Sequence, residues 1–223
     1  MQQKPTQLDR PLTVGILALQ GAYEAHAKTL QSLGVTTKLI RTPGELTALD
    51  GKPTVDGLII PGGESTTMLK FLERNQFLDV LTTFVQHTPT FGTCAGAILL
   101  AKDVQQPAQT SLAAMDITVE RNAYGRQIDS AILTAPTKLE GAPLEMVFIR
   151  APRITRTGPH VETLATRDGF PVLVREGHLL AATFHPELSS DTRVHQLFLN
   201  LISQNLIRKN APALAETPQA QPH

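Results

Sequence analysis

The chain has one cysteine, no net charge and no apolar run of membrane length, and each shortage closes off a class of protein. A single cysteine, Cys94, cannot form an internal disulfide, which excludes the cross-linked secreted domains. Twenty basic residues balance twenty acidic ones, leaving no global field to draw the protein to nucleic acid or to an anionic membrane. The richest apolar segments have the length of strands, well short of the roughly 20 residues that cross a bilayer. Residues 1–5 contain no apolar core of a secretory signal, and no internal repeat is present. These shortages point to a cytoplasmic protein whose ligand is a small molecule or another protein.

What the chain does have is an alternation of strand-length apolar runs with helical periodicity. Residues 14–19 read as a strand buried on both faces, and 22–33 as a helix stopped by Gly34. A strand at 35–40, a short helical piece at 43–49 and a strand at 56–61 follow. Helical patterns at 66–72 and 77–85 then lead to a strand at 90–92. This order predicts a three-layer α/β fold with a mostly parallel central sheet and helices on both faces. Beyond Lys102 the rhythm shifts to short strands at 115–119, 127–133, 145–149, 161–165, 171–174 and 179–184, read as antiparallel additions, before a helix at 193–207. One domain over 12–208 is expected, with a polar lead at 1–11 and an alanine- and proline-rich tail at 209–223 read as disordered.

The cysteine stands in Gly92-Thr93-Cys94-Ala95-Gly96, where the strand at 90–92 passes directly into the apolar run 98–101. A G-x-nucleophile-x-G turn between strand and helix needs small residues, because the backbone is strained and neighbouring main chain approaches closely. A free cysteine is also among the most buried residue types and often serves as a small hydrophobe. Glycines on both sides, with strand, turn and helix in that order, favour the nucleophile. The turn falls at the carboxyl end of a strand, where open α/β sheets place ligands.

A nucleophilic thiol needs a base. Of seven histidines, His185 closes the last apolar strand and is followed by Pro186 and Glu187. Pro186 biases His185 toward extended backbone, and residues two apart on extended chain share a side, so Glu187 is placed to meet one imidazole nitrogen while the other stays free for Cys94. His26 falls within the first helical pattern, and His87, His160 and His195 in loop or helix-surface positions. They read as solvated or structural.

The segment Pro61-Gly62-Gly63-Glu64-Ser65-Thr66-Thr67 follows a buried strand and opens a helix. It reads as a tight turn capped by Ser65 or Thr66, and equally as a loop whose N–H groups join the amide after Cys94 in binding an oxyanion. No lysine follows the glycines in Walker spacing, which argues against a phosphate loop. The segments Arg121-Asn122-Ala123-Tyr124-Gly125-Arg126-Gln127 and Phe148-Ile149-Arg150-Ala151-Pro152 offer guanidinium groups suited to a substrate carboxylate. From residue chemistry alone, surface ion pairing is the simpler reading of each arginine.

These motifs, together with Leu17-Ala18-Leu19-Gln20-Gly21-Ala22 and His185-Pro186-Glu187-Leu188, resemble in order and content the class I, triad-type glutamine amidotransferases. Within that class they are most similar to the PdxT/SNO family, the glutaminase subunits of pyridoxal 5′-phosphate synthase, and the likeness spans residues 14 to about 207. The resemblance implies a flavodoxin-like fold and a catalytic triad of Cys94, His185 and Glu187. It also implies glutamine binding by Gly62, Gly63, Glu64, Ser65, Arg121, Ile149 and Arg150, which overturns the surface reading of Arg121 and Arg150. Gln20 is expected near the synthase-facing side of the site. No cofactor and no metal is implied. The implied partners are L-glutamine and a synthase subunit in a large hetero-oligomer, with weak activity in the subunit alone. The other readings are a glutaminase serving a different acceptor enzyme, against which the two arginine segments argue, and a non-catalytic regulatory subunit, against which the intact triad argues.

Overall fold

The computed structural model describes residues 10–121 and 131–210. Most of the polar lead, residues 122–127 of the first arginine segment, the start of the strand expected at 127–133 and nearly all of the tail lie outside the described residues. The first half alternates as the periodicity predicts: β1 (Thr13–Leu17), α1 (Tyr23–Ser32), β2 (Thr36–Ile40), α2 (Pro43–Leu46), β3 (Gly57–Ile60), α3 (Ser65–Leu72), α4 (Phe77–His87), β4 (Thr90–Thr93) and α5 (Ala95–Leu100). The second half carries β5 (Ala101–Gln105), β6 (Met115–Glu120), β7 (Ala131–Ala135), β8 (Leu144–Phe148), β9 (Arg153–Thr157), β10 (Glu162–Arg167), β11 (Phe170–Glu176), β12 (Leu179–Ala182) and α6 (Arg193–Asn210).

Seven strands form the central sheet in the order β10-β11-β12-β4-β3-β1-β2. The five from β12 to β2 run parallel, and β11 and β10 extend one edge antiparallel. The parallel part has the flavodoxin-like order, in which ligands bind beyond the carboxyl ends of the strands. A three-stranded sheet (β5-β6-β9) and the hairpin β7-β8 are added outside it.

Side chains on the parallel strands alternate between two cores, one on each face. Val14, Ile16, Ile59 and Phe91 point to the face covered by α1 and α6, where they join Leu30, Phe198 and Ile202. Leu17, Leu58 and Ile60 point to the opposite face, covered by α3, α4 and α5, with Met68, Leu72, Leu81 and Leu99. Burial on both sides explains why β3 and β12 carry no polar side chain, while β2 at the sheet edge keeps Thr36, Thr37 and Lys38.

Two strands, β5 and β9, have no counterpart in the sequence reading. In β5 only Ala101 and Val104 are buried, and in β9 only Ile154. Such strands sit among charged residues and show no apolar run to detect. A second difference concerns α3: its cap is Glu64, not Ser65 or Thr66, and the Glu64 carboxylate accepts from the backbone N–H groups of Thr66 and Thr67. A carboxylate at a helix start also meets the positive end of the helix dipole.

Candidate active site

The turn after β4 has the strain its sequence predicts. Cys94 adopts φ 47° and ψ −102°, a conformation that costs an L-residue free energy and is found where a side chain must be held up for chemistry. The flanking glycines are required by contact. A Cβ on Gly92 would lie 2.5 Å from the Gly96 carbonyl, and one on Gly96 would lie 2.0 Å from the carbonyl oxygen of Ile60. The main chains of β4, α5 and β3 therefore touch without side chains between them. The Cys94 N–H donates to Ala182 O at 2.8 Å, fixing the turn to β12.

Because β12 runs parallel to β4, with Ala182 opposite Thr93, the chain leaving β12 emerges beside Cys94 and delivers His185. The His185 N–H donates to Val147 O in β8 at 2.8 Å, so the added hairpin anchors the base. His185 Nδ1 and Glu187 Oε1 are 2.7 Å apart, and the ring lies beside Cys94, a Cβ on Gly62 falling 2.9 Å from His185 Nδ1 and 3.3 Å from Cys94 Cβ. All three residues are 6% exposed. The contact does not arise from an extended strand: Pro186–Leu188 is a 3₁₀ turn, which folds the Glu187 carboxylate back beneath the ring. Proline at the first position of such a turn gives up no needed N–H.

Burial opposes charge on His185, but the nearby Cys94 and the hydrogen bond to Glu187 outweigh it and raise the imidazole to about 10. Burial likewise opposes the Glu187 carboxylate, and His26 and His185 overcome it to hold that group below its ordinary range. The arrangement favours an imidazolium held by Glu187 beside the Cys94 sulfur, a setting in which cationic charge activates a cysteine nucleophile.

A cavity of about 450 Å³ opens over the sulfur, lined by Gln20, Gly63, Glu64, Ser65, Cys94, Ile98, Arg121, Ile149, Arg150 and His185. Of the expected site residues Gly62 and Glu187 are off its wall; Glu187 lies behind His185, and Gly62 packs against the His185 ring, where an added Cβ would fall 2.3 Å from Cε1. Arg121 donates to Thr66 Oγ1 at 2.7 Å and lies 3.6 Å from Glu64. Gln20 is tied to the loop, its amide donating to Glu64 O at 3.0 Å and accepting from Glu64 N at 3.2 Å. Thr67, through its hydroxyl, and the α3 backbone lower the Glu64 carboxyl to about 2.

Behind Glu187 lies a group that sequence reasoning missed. His26 and His195, read above as solvated or structural, are both fully buried. His26 Nε2 is 3.3 Å from Glu187 Oε2 and 3.1 Å from Thr93 Oγ1, and His26 Nδ1 is 3.0 Å from His195 Nε2. Burial lowers both histidines, His195 to about 3 with the help of His26. A signal existed, since His26 is four residues before Leu30 and His195 three before Phe198, on the inward faces of their helices. Gln109, which meets Ser65 Oγ at 3.0 Å, gave no signal. Among the described residues, no group of three or more His, Cys, Asp or Glu is arranged to hold a metal ion.

Fold and comparison agree on the class. A crystal structure titled as a glutamine amidotransferase matches with a TM-score of 0.75 at 43% identity, over 85% of this chain and 98% of that one, which sets the protein among the glutamine amidotransferases. More narrowly, the chain belongs to the SNO glutamine amidotransferase family, whose model matches residues 16–204. It is 56% identical to the pyridoxal 5′-phosphate synthase subunit PdxT of Koribacter versatilis, over 86% of this chain and 96% of that protein. It is 46% identical to the protein of the same name from Thermotoga maritima, over 86% of this chain and the whole of the relative.

Proposed function

We propose that the chain is the glutaminase subunit of a pyridoxal 5′-phosphate synthase, with Cys94, His185 and Glu187 as its triad. The observation that carries this reading is the buried series of Glu187, His185 and Cys94, open on its sulfur side to the cavity. The names borne by relatives at 46–56% identity supply the synthase partner.

In this reaction the Cys94 thiol yields its proton to His185 and its sulfur attacks the carboxamide carbon of L-glutamine. The carbonyl electrons move onto oxygen, where backbone N–H groups from the Gly62–Gly63 loop and from Ala95 receive the charge. As the tetrahedral species collapses, His185 protonates the leaving nitrogen, ammonia departs, and a glutamyl thioester remains. Water then loses a proton to His185, attacks the thioester and releases glutamate and the thiol. Glu187 orients His185 and stabilises its charged form throughout. Arg121 and Arg150 supply cationic charge for the α-carboxylate, Ile149 an apolar wall for the methylenes, and Gly63, Glu64 and Ser65 the opposite side. Ammonia passes to the synthase subunit. No helix among the described residues is long and apolar enough to cross a membrane, and a free thiol nucleophile suits the reducing cytoplasm.

The test is glutamate release from glutamine by the full chain with a pyridoxal 5′-phosphate synthase subunit present. Cys94→Ala is expected to lower the rate by at least about 10³-fold, and a rate unchanged by the substitution would exclude the mechanism. Stimulation by that synthase, and not by acceptor enzymes of other amidotransferases, tests the partner.

A further inference from the structure

The two buried histidines behind Glu187 have no part in the mechanism above, and their geometry restricts what they can do. A neutral imidazole carries one N–H. His26 Nε2 faces the Glu187 Oε2 carboxylate oxygen at 3.3 Å and the Thr93 hydroxyl at 3.1 Å. A bare nitrogen there would set a lone pair against a buried carboxylate, so the hydrogen belongs on Nε2. His26 Nδ1 is then an acceptor, and the donor it meets among the described residues is the Nε2–H of His195 at 3.0 Å. This leaves His195 Nδ1 unprotonated, and that atom is buried with no partner.

The donors therefore run one way, from His195 to His26 and on to the Thr93 hydroxyl beside the Glu187 carboxylate, and the series starts at a buried nitrogen with no partner. Such a chain cannot relay a proton out of the site, but it can hold a carboxylate in place. Glu187 Oε2 has no hydrogen bond of its own and faces His26 Nε2 as a close polar contact at 3.3 Å, while Oε1 is committed to His185. Without His26, that oxygen would lose the one imidazole edge that faces it at 3.3 Å and the group would be free to rotate, and polar neighbours of this kind strengthen or weaken a buried network.

We propose that His26 is a positioning residue of the triad: the positive edge of its ring, held by Thr93 and His195, sits 3.3 Å from the second oxygen of Glu187 and keeps it in place, so that the first presents a single, correctly aimed acceptor to His185. This rests on the triad assignment made above. It concerns the rate of chemistry and not the binding of glutamine, because His26 lies behind the triad and away from the cavity wall.

The experiment is glutamate release by the full chain with its synthase subunit, for His26→Phe, His26→Gln and His26→Asn, each also combined with Glu187→Gln. A glutamine amide nitrogen reaches the place of imidazole Nε2, whereas that of asparagine reaches only Nδ1. His26→Phe and His26→Asn are expected to lower kcat about tenfold with KM within about twofold, and His26→Gln to restore the rate to within about threefold. In the Glu187→Gln background the same His26 changes should cost less than about twofold, since the oxygen they act through is gone. Equal losses in both backgrounds, a change confined to KM, or equal rates for Gln and Asn would overturn the proposal. Should the Phe variant fail to fold, the contrast between Gln and Asn decides it. If Glu187→Gln itself leaves turnover unchanged, the triad assignment falls. If Glu187→Gln slows turnover and His26→Phe does not, the role of His26 alone falls.

Discussion

Replacing His195 with leucine should make the protein less stable at pH 8 and lose most of that penalty at pH 5. His195 is fully buried, and burial, then His26, keep its pKa at about 3 against an ordinary 6.5, with Glu187 pulling weakly the other way. A histidine lowered on folding binds its proton more readily in the unfolded chain. Its neutral form therefore costs nothing well above pH 6.5, and the folded state loses ground as pH falls from 6.5 toward 3. At pH 5 the unfolded histidine has gained about 1.5 pH units of protonation free energy that the native one has not, or about 2 kcal/mol. At pH 8 the substitution strips the donor from His26 Nδ1 and leaves that acceptor buried and unpaired, a loss of about 1–3 kcal/mol. Urea unfolding of both proteins at the two pH values isolates the effect, because the titrations of His185 and the carboxylates are largely common to both and cancel. The difference in unfolding free energy should shrink by about 2 kcal/mol between pH 8 and pH 5. A difference constant across that range would mean that His195 is protonated or solvated in the native state, and the burial argument would fail.

Gly96→Ala places a methyl 2.0 Å from the Ile60 oxygen, and the main chain of α5 must leave β3 to make room; a loss of about 1–3 kcal/mol or more is expected in urea midpoint, and a midpoint matching the parent would refute the contact. Glu64→Ala removes a cap on α3 whose carboxyl lies at about 2 against an ordinary 4.5, so the cap's stabilisation is full above pH 4.5 and lost as pH falls toward 2. The variant should be less stable by about 1 kcal/mol at pH 7 and converge on the parent in acid, while a gap that persists at pH 2 would show that the charge is not what caps the helix.

The inner strands were legible because burial on both faces leaves β3 and β12 without polar side chains, and turn chemistry at Gly34 and at residues 61–63 marks the start of β2 and the end of β3. The elbow was legible because contacts between main chains leave no substitute for glycine at positions 92 and 96. His185 and Glu187 were legible as a local pair, although the turn that joins them differs from the extended geometry predicted. The His26–His195 pair was not, because 169 positions separate the partners and only packing of α1 and α6 on one face of the sheet brings them together. β5 and β9 were hidden for another reason: strands with one or two buried residues are recognised by their neighbours and not by their own pattern.

The paired hydrogen bonds between the Gln20 side chain and Glu64 amount to a rung added to the sheet. A carboxamide offers the same N–H and C=O as a peptide, and here it gives both to a backbone residue, much as facing residues do in an antiparallel ladder. β1 and β3 are neighbours in the sheet, so this borrowed rung continues their pairing past the last strand residues. The loop that walls the cavity thus inherits the rigidity of the sheet floor, although no strand reaches it.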